Sequence, residues 1–413
     1  MNKFGTQYFG NYDRGVIEKK VISPELVGQY SEIREVLKKL QAGYMERNVE
    51  KLDTFFEELF IDGRDTYVVG TGISELFLGS DMVKELISGD WEGWGDVNLD
   101  YENARIDLEG EVAWFAAVGS VKYIFEDSLE KYDRHINYIK DKIEEAGFTA
   151  KQKLAFINWF LTMVYHGREG KKREHLWPLR LSGVLLKVDG KWKFTHLKFS
   201  MPKPNFPDER FENDNEHLES YNKNNSIAEQ YKNNKMTLEL RNLLENLECK
   251  FIGQKNISEE LVEKYFAKSF SPYIISAENN WYAEAQGIRE FFSSYSASKL
   301  SLDLEHAIAA KSGDVTWVTV TGILEQNLTE DELAENVINE LGELINTSRT
   351  SREKIFAVHR SVAYALKEST SGTHYTCPIM IDAVILNSSE GLVFHNIHFS
   401  YPFYWIVEGK LDE

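Results

Sequence analysis

The sequence predicts two homologous α+β domains in tandem, because two blocks of it occur twice. Residues 99–119 recur as residues 302–322 at a constant offset of 203, and each copy has a glycine–acid turn followed by a tryptophan. Residues 178–202 recur as residues 378–402 at an offset of 200. Because two separate blocks agree in offset to within three residues, duplication of one domain is the natural explanation.

Each half begins with amphipathic helices and continues into strands. Apolar residues at helical spacing predict the helices: Ile33, Val36, Leu37, Leu40, Tyr44, Leu52, Phe55, Phe56 and Leu59 in the first half, and Leu238, Leu240, Leu243, Leu244, Leu247, Leu261, Tyr265 and Phe266 in the second. Runs of β-branched and aromatic residues then predict half-buried antiparallel strands. In the first half these runs are 67–69, 97–106, 112–125, 179–188 and 192–199, and the second half contains their counterparts.

Two segments rich in charged and helix-forming residues interrupt the strands, at about residues 128–174 and 329–367. Apolar residues at helical spacing, such as Phe156, Trp159 and Val358, predict a helical hairpin in each segment. We expect each hairpin to lie over its own domain, either as a solvated cover or as a lid that gates a pocket.

These patterns divide the chain into four parts. Residues 1–22 form an N-terminal extension without periodicity, and residues 23–202 form the first domain. Residues 203–225 are polar and form a linker, and residues 226–413 form the second domain.

The composition limits the classes of partner. The chain has 413 residues, 42% of them hydrophobic, and a formal net charge of −19, which disfavours binding to nucleic acid. Its two cysteines, Cys249 and Cys377, are too few for a disulfide framework, so we expect reduced thiols. Without a secretory signal or an apolar run of membrane-spanning length, the sequence predicts a cytoplasmic protein with no membrane partner. It contains no recognisable cofactor or metal motif, so we expect neither.

Several motifs resemble those of the nuclear transport factor 2-like superfamily, and more narrowly its SnoaL-like branch. They are the glycine–acid turn before Trp114, Gly89-Asp90-Trp91, Asp189-Gly190-Lys191-Trp192-Lys193-Phe194 and Phe199-Ser200-Met201-Pro202. The resemblance implies two tandem cone-shaped α+β domains, each a curved antiparallel sheet wrapped around helices, with the helical hairpin as an insertion. It covers most of each half apart from the insertions and the linker.

The resemblance also implies an apolar cavity in each cone. Members of the superfamily include cyclases, isomerases, dehydratases, epoxide hydrolases and an association domain of a kinase, so the fold does not select a function. Because single-domain relatives commonly dimerise through their sheets, it implies an intrachain pseudo-dimer, and a homo-oligomer is also compatible with it. His398-Phe399-Ser400 matches the ending common in the SnoaL-like branch, whereas the first half has Lys198 there, so we expect the two cavities to differ.

Asp382 and His398 form a candidate catalytic pair. Asp382 lies in a run that is apolar on both faces, where an ionised carboxylate is costly unless it is paired. If the closing hairpin has a three-residue turn with Gly391 in the left-handed conformation, Asp382 lies opposite His398 on one face. The pair would then serve as a general base and its partner; the alternative is an Asp satisfied by backbone amides or His398 purely for stability.

The equivalent positions of the first half predict a cationic cavity. Arg180 and Ser182 face His196 and Lys198 under the same hairpin geometry, which suits a carboxylate or phosphate ligand or pairing with acidic side chains of the covering helices. We also place in that cavity Tyr44, Trp91 and Trp114, although tryptophans at these spacings are more often core residues.

Three functions are compatible with these observations. The first is a binding protein for a small apolar or anionic molecule, with two diverged cavities. The second is an isomerase, cyclase or dehydratase that uses Asp382 and His398 as an acid–base pair. The third is a protein-assembly module. The sequence favours binding, because nothing in it shows that even one cavity is catalytic.

Overall fold

A computed structural model describes residues 24–126, 129–165, 172–201, 215–230, 236–268, 271–278, 280–347 and 351–402. The predicted N-terminal extension lies outside these residues. The first half contains, in chain order, α1 (Pro24–Glu46), α2 (Leu52–Leu59), β1 (Tyr67–Val69), β2 (Leu76–Leu78), α3 (Ser80–Gly93), β3 (Asp96–Leu99), β4 (Arg105–Glu109), β5 (Val112–Glu126), α4 (Leu129–Glu144), α5 (Ala150–Tyr165), β6 (Lys172–Val188) and β7 (Lys191–Ser200).

The second half repeats this order after one additional helix. Its elements are α6 (Asn215–Gln230), α7 (Leu238–Asn246), α8 (Glu259–Tyr265), β8 (Tyr273–Ile275), β9 (Trp281–Ala283), α9 (Glu284–Ser294), β10 (Ser298–Leu302), β11 (Ile308–Ser312), β12 (Val315–Asn327), α10 (Glu330–Ile345), α11 (Ser351–Glu368), β13 (His374–Ser388) and β14 (Gly391–Ser400). Helix α6 occupies part of the segment predicted as a linker.

Each half has one seven-stranded sheet, and the two sheets have the same topology. The first has the order β2-β1-β7-β6-β5-β3 with β4 also paired to β5, and the second has β9-β8-β14-β13-β12-β10 with β11 also paired to β12. All neighbours are antiparallel except β1 with β7 and β8 with β14. The predicted fold class, two tandem α+β domains with helical-hairpin insertions, is confirmed.

The inner face of each sheet packs on the helices of its own half. On β13, Ile379, Ile381 and Ile385 belong to the core that α7, α8 and α9 complete. Asp382 and Val384 alternate with them and therefore point to the outer face. That outer face is also buried, which explains why the strand is apolar on both sides.

The outer faces of the two sheets contact each other. One buried apolar cluster contains Trp114 and Val184 from the first half together with Trp317 and Val384 from the second. Ala228 of α6 joins the same cluster, so this helix contacts both halves. The two long hairpins, β6–β7 and β13–β14, lie at the centre of the contact and carry five of the predicted site residues: Arg180, His196, Lys198, Asp382 and His398.

The insertions pack on each other and not only on their own halves. The rings of Trp159 on α5 and Tyr364 on α11 lie 5.8 Å apart, and Thr162 hydrogen-bonds His359 at 3.2 Å. Leu333 of α10 belongs to the core of the first half. The expectation that each hairpin covers its own domain is therefore incomplete, because helical periodicity does not say which partner the apolar face meets. No helix in the described part of the chain is long and apolar enough to cross a membrane.

Candidate functional site

Asp382 and His398 lie directly opposite each other on β13 and β14, as predicted, but for a different reason. Ser388 pairs with Gly391, so the turn has two residues, not three. The two-residue turn alone would place Asp382 and His398 on opposite faces of the sheet. A β-bulge between Val384 and Ile385 adds one residue to β14 and returns both side chains to the same face. Turn and bulge together restore the register that the three-residue turn was expected to give.

The nearest charged partners of Asp382 come from the first half. His196 Nε2 lies 2.5 Å from Asp382 Oδ2, and Lys198 Nζ lies 3.3 Å from Oδ1. Burial alone would raise the pKa of Asp382, but the charges of Lys198 and His196 outweigh it and hold that pKa below its usual range. Asp382 is therefore ionised within a buried network that joins the two sheets.

His398 is held neutral between two serines. Its Nδ1 lies 2.8 Å from Ser182 Oγ of the other sheet, and its Nε2 lies 2.9 Å from Ser200 Oγ. Burial, with the nearby charge of Lys198, lowers the pKa of His398 well below its ordinary value. A neutral imidazole with both nitrogens occupied has little capacity to relay a proton to a ligand.

The basic residues of the first half lie on the same contact face. Lys198 is fully buried, and its Nζ also lies 3.3 Å from the carbonyl oxygens of Met380 and His398. Burial lowers the pKa of Lys198, and Asp382 opposes that shift. Arg180 is fully buried, with its guanidinium carbon 4.8 Å from the Trp281 ring centre. The side chains of Lys198 and Arg180 point to the outer face of the first sheet, because they alternate with the residues that point inward. They therefore contact the second sheet and not the interior of the first domain.

Trp114 also lies between the sheets. Its Nε1 donates a hydrogen bond to Nδ1 of His395, which is fully buried, at 3.0 Å. Burial lowers the pKa of His395 to about 4, although the Asp107 carboxylate opposes the shift. Of the predicted ligand-binding residues, Arg180, His196, Lys198 and Trp114 therefore cluster with Asp382 and His398 at the contact, while Tyr44 and Trp91 lie elsewhere.

Tyr44 and Trp91 line the interior of the first domain, which is largely filled by aromatic side chains. The Tyr44 ring centre is 6.4 Å from that of Trp91 and 5.9 Å from that of Phe199. The Tyr44 hydroxyl donates to Asp90 Oδ2 at 2.9 Å. Burial, followed by the charge of Asp90, raises the pKa of Tyr44 well above its ordinary value.

A small cavity of about 30 Å³ lies at this end of the first domain. We call it the first-domain pocket; its lining residues are Gly70, Thr71, Glu75, Leu86, Asp90, Trp94 and Phe199. Glu75 Oε2 accepts a hydrogen bond from the Gly72 amide at 2.8 Å. Gly70 has to lack a side chain, because a Cβ there would meet the Glu75 carboxylate.

The corresponding end of the second domain carries a different set of polar groups. Burial raises the pKa of Glu278, and the Ser276 hydroxyl partly opposes this by hydrogen bonding to it. The hydroxyls of Tyr295 and Tyr401 hydrogen-bond each other, and burial together with the Glu278 charge raises the pKa of both. Two tyrosines of the core thus hydrogen-bond each other, and the charge of Glu278 acts on both.

No group of three or more potential metal-ligating side chains occurs in the portion of the chain that the structure covers. Metal coordination therefore has no candidate site among those residues.

No protein-family profile matches the chain, and no curated protein matches it in sequence. Solved structures do align with it. A nuclear transport factor 2-like superfamily protein from Salmonella enterica has 12% identity over 44% of this chain and 95% of its own, with a TM-score of 0.29. A provisionally assigned scytalone dehydratase from Novosphingobium aromaticivorans has 13% identity over 43% and 86%, with a TM-score of 0.28. A nuclear transport factor 2-like protein of unknown function from Pseudomonas putida has 10% identity over 43% and 90%, with a TM-score of 0.27.

Each alignment covers the share of the chain that one half occupies, and both halves have one and the same strand order. Assignment of the two halves to the nuclear transport factor 2-like superfamily, and to its SnoaL-like branch, stays a prediction.

Sequence reasoning missed the polar residues at the ends of both domains. Glu75 follows the turn Gly70-Thr71-Gly72, which indicates only a turn by sequence. Asp90 belongs to a motif that carries the resemblance, but nothing in its spacing indicates that it meets Tyr44. Glu278 occupies the equivalent hairpin of the second domain, between β8 and β9, and the repeat could have drawn attention to it.

Proposed function

We propose that this protein binds a small organic cation at the first-domain pocket. One observation carries the proposal: the carboxylates of Glu75 and Asp90 and the rings of Trp94 and Phe199 surround a single cavity. Carboxylates attract an ammonium group, and aromatic faces stabilise a cation or an apolar body beside it. The ligand expected from sequence was apolar or anionic, but the basic residues behind that expectation lie between the sheets.

The size of the first-domain pocket and the charges around it define the chemical class of the ligand more closely. A cavity of about 30 Å³ takes an ammonium head group and not a whole molecule, so the remainder of the ligand lies towards solvent. The lining residues named above include no lysine or arginine. The net charge of −19 also raises the local concentration of cations. These features favour a primary amine on a short apolar body.

The test compares three probes of equal size: benzylammonium, benzyl alcohol and benzoate. Calorimetric titration and thermal shift at low salt should detect binding of benzylammonium alone, and binding should weaken as ionic strength rises. Asp90→Asn should reduce the affinity for benzylammonium by about tenfold or more. Glu85→Gln, at an exposed position of the same helix, is the matched control and should leave binding unchanged.

Equal binding of benzyl alcohol and benzylammonium would contradict a charge-based site. If Asp90→Asn binds benzylammonium with full affinity, the proposed location of the site at the first-domain pocket is wrong.

A second candidate, acid–base catalysis, is favoured by the polar group in the second domain. Burial raises the pKa of Glu278, which favours a carboxyl group that takes up and returns a proton. The hydrogen-bonded Tyr295 and Tyr401 would donate to a carbonyl oxygen of the substrate. This group replaces Asp382 and His398 as the candidate acid–base set, because the latter two are satisfied between the sheets.

Exchange of the α-protons of cyclohexanone with deuterated water, followed by NMR, tests this second candidate. The native protein should exchange them faster than buffer, and Glu278→Gln should abolish the excess rate. Glu290→Gln, an exposed carboxylate of α9, is the control and should have no effect. An excess rate that persists in Glu278→Gln would rule out this role.

A further inference from the structure

Three positions at the centre of the sheet contact are occupied differently in the two domains. Ser182 pairs with Lys198 across β6 and β7, and Asp382 pairs with His398 across β13 and β14. His196 lies opposite Val184, as Asn396 lies opposite Val384. The equivalent trios, which we call the first and second trio, are Ser182, His196 and Lys198, and Asp382, Asn396 and His398.

Each trio contacts the other in a reciprocal manner. Lys198 Nζ reaches Asp382 Oδ1 at 3.3 Å, and Ser182 Oγ reaches His398 Nδ1 at 2.8 Å. Ser182 is equivalent to Asp382, and Lys198 is equivalent to His398. The Lys198–Asp382 contact and the His398–Ser182 contact therefore join equivalent positions of the two domains. The contact positions are therefore related as in a two-fold dimer, while the residues on them are not.

We infer that the two trios make each sheet face specific for the other domain of the chain. The intrachain pseudo-dimer is then a matched pair whose faces no longer suit a second copy of the same domain. In the observed pairing, one buried ammonium group meets one buried carboxylate, and the neutral His398 meets a serine.

If each sheet face were paired with a second copy of itself, the buried ammonium groups and carboxylates would no longer be matched. Two copies of the first trio would place each Lys198 against a serine, so two buried ammonium groups would have no carboxylate. Two copies of the second trio would place each Asp382 against His398, so two buried carboxylates would have no lysine. Leaving a buried charge without its partner is strongly destabilising, which excludes the wrong pairing.

Exchange of the trios within the full chain tests this inference. One half-exchange replaces the first trio (Ser182→Asp, His196→Asn, Lys198→His). The other replaces the second trio (Asp382→Ser, Asn396→His, His398→Lys). Each should lower the melting temperature by roughly 6–20 °C, because each leaves buried charges unbalanced.

The full exchange, with all six substitutions, restores the balance in the opposite orientation. It should recover at least half of the loss seen in either half-exchange. A full exchange no more stable than the half-exchanges would overturn the inference, as would half-exchanges as stable as the native protein.

If the full exchange yields no soluble protein, a smaller set of variants tests the same inference. Asp382→Asn leaves Lys198 buried without its carboxylate, so adding Lys198→Met should raise the melting temperature above that of Asp382→Asn alone. Additive losses from the two substitutions would overturn the inference. The exposed pair Lys299 and Glu325, 2.6 Å apart, is the control, and the same cycle there should be close to additive.

Discussion

Acidification should weaken the contact between the two sheets through His395. This side chain is fully buried, and its Nδ1 accepts a hydrogen bond from Trp114 Nε1 at 3.0 Å. Because an indole nitrogen only donates, Nδ1 has to be unprotonated in the folded protein. Protonation of that nitrogen would break the hydrogen bond and place a charge between the sheets.

The magnitude follows from the difference between the folded and unfolded states. Burial lowers the pKa of His395 to about 4, against about 6.5 for an unperturbed histidine. Between these two values the unfolded chain binds a proton that the folded chain does not, so stability falls as the pH falls. The loss is about 1.4 kcal/mol per pH unit and about 3 kcal/mol over the whole window.

Urea-induced unfolding, followed by tryptophan fluorescence between pH 7 and pH 4.5, measures this loss. His395→Gln is the matched variant, because its amide oxygen can accept from Trp114 and does not titrate. Subtracting the two unfolding free energies cancels the titration of the carboxylates that both proteins share. The stability advantage of the native protein over His395→Gln should shrink by about 1.4 kcal/mol per unit below pH 6.5. A difference that stays constant over this range would refute the account of His395 as a buried neutral group.

Three further predictions concern packing and hydration. Gly183→Ala should cost about 1–3 kcal/mol in urea unfolding, because its Cβ would lie 2.8 Å from Leu197 Cδ2 and even closer to the His196 carbonyl oxygen. Gly147→Ala, which meets nothing within 4 Å, should stay within about 0.5 kcal/mol of the native value. Tyr44→Phe removes the hydrogen bond to Asp90 and should cost about 1 kcal/mol by the same assay; no loss would mean that water replaces the hydroxyl. A high-resolution crystal structure should show one ordered water in the cavity of about 20 Å³ between the sheets, and an empty cavity would contradict this. Three buried polar atoms at this cavity have no hydrogen-bond partner in the described part of the chain: His196 Nδ1, Trp317 Nε1 and Asn396 Oδ1.

The duplicated fold is readable from the sequence because the repeats keep both their spacing and their turn chemistry. Asp189 and Gly190 have φ of +50° and +77°, which gives the two-residue turn that joins β6 to β7. The second hairpin lacks this signature, and its bulge has no distinct residue type. The register of Asp382 with His398 was therefore predicted correctly from an incorrect turn.

The site could be predicted only in part, because β13 is apolar on both faces. Alternation along a strand shows which residues share a face, but here it does not show which face meets the helices and which meets the other sheet. The sequence identified Asp382 as a carboxylate that needs a partner, and in the structure Lys198 and His196 lie beside it. Its partners lie in the other domain, far away in sequence, so no local pattern names them.

The measurement that bears most directly on the paired sheets is the accessibility of Lys198 to reductive methylation. Lys191 lies exposed on the same strand, whereas Lys198 is fully buried against the second domain. Mass spectrometry of the natively treated protein should find Lys191 dimethylated and Lys198 unmodified, with both modified in urea. Methylation of Lys198 at the rate of Lys191 would show that the outer sheet face is open to solvent and that the two domains are not paired.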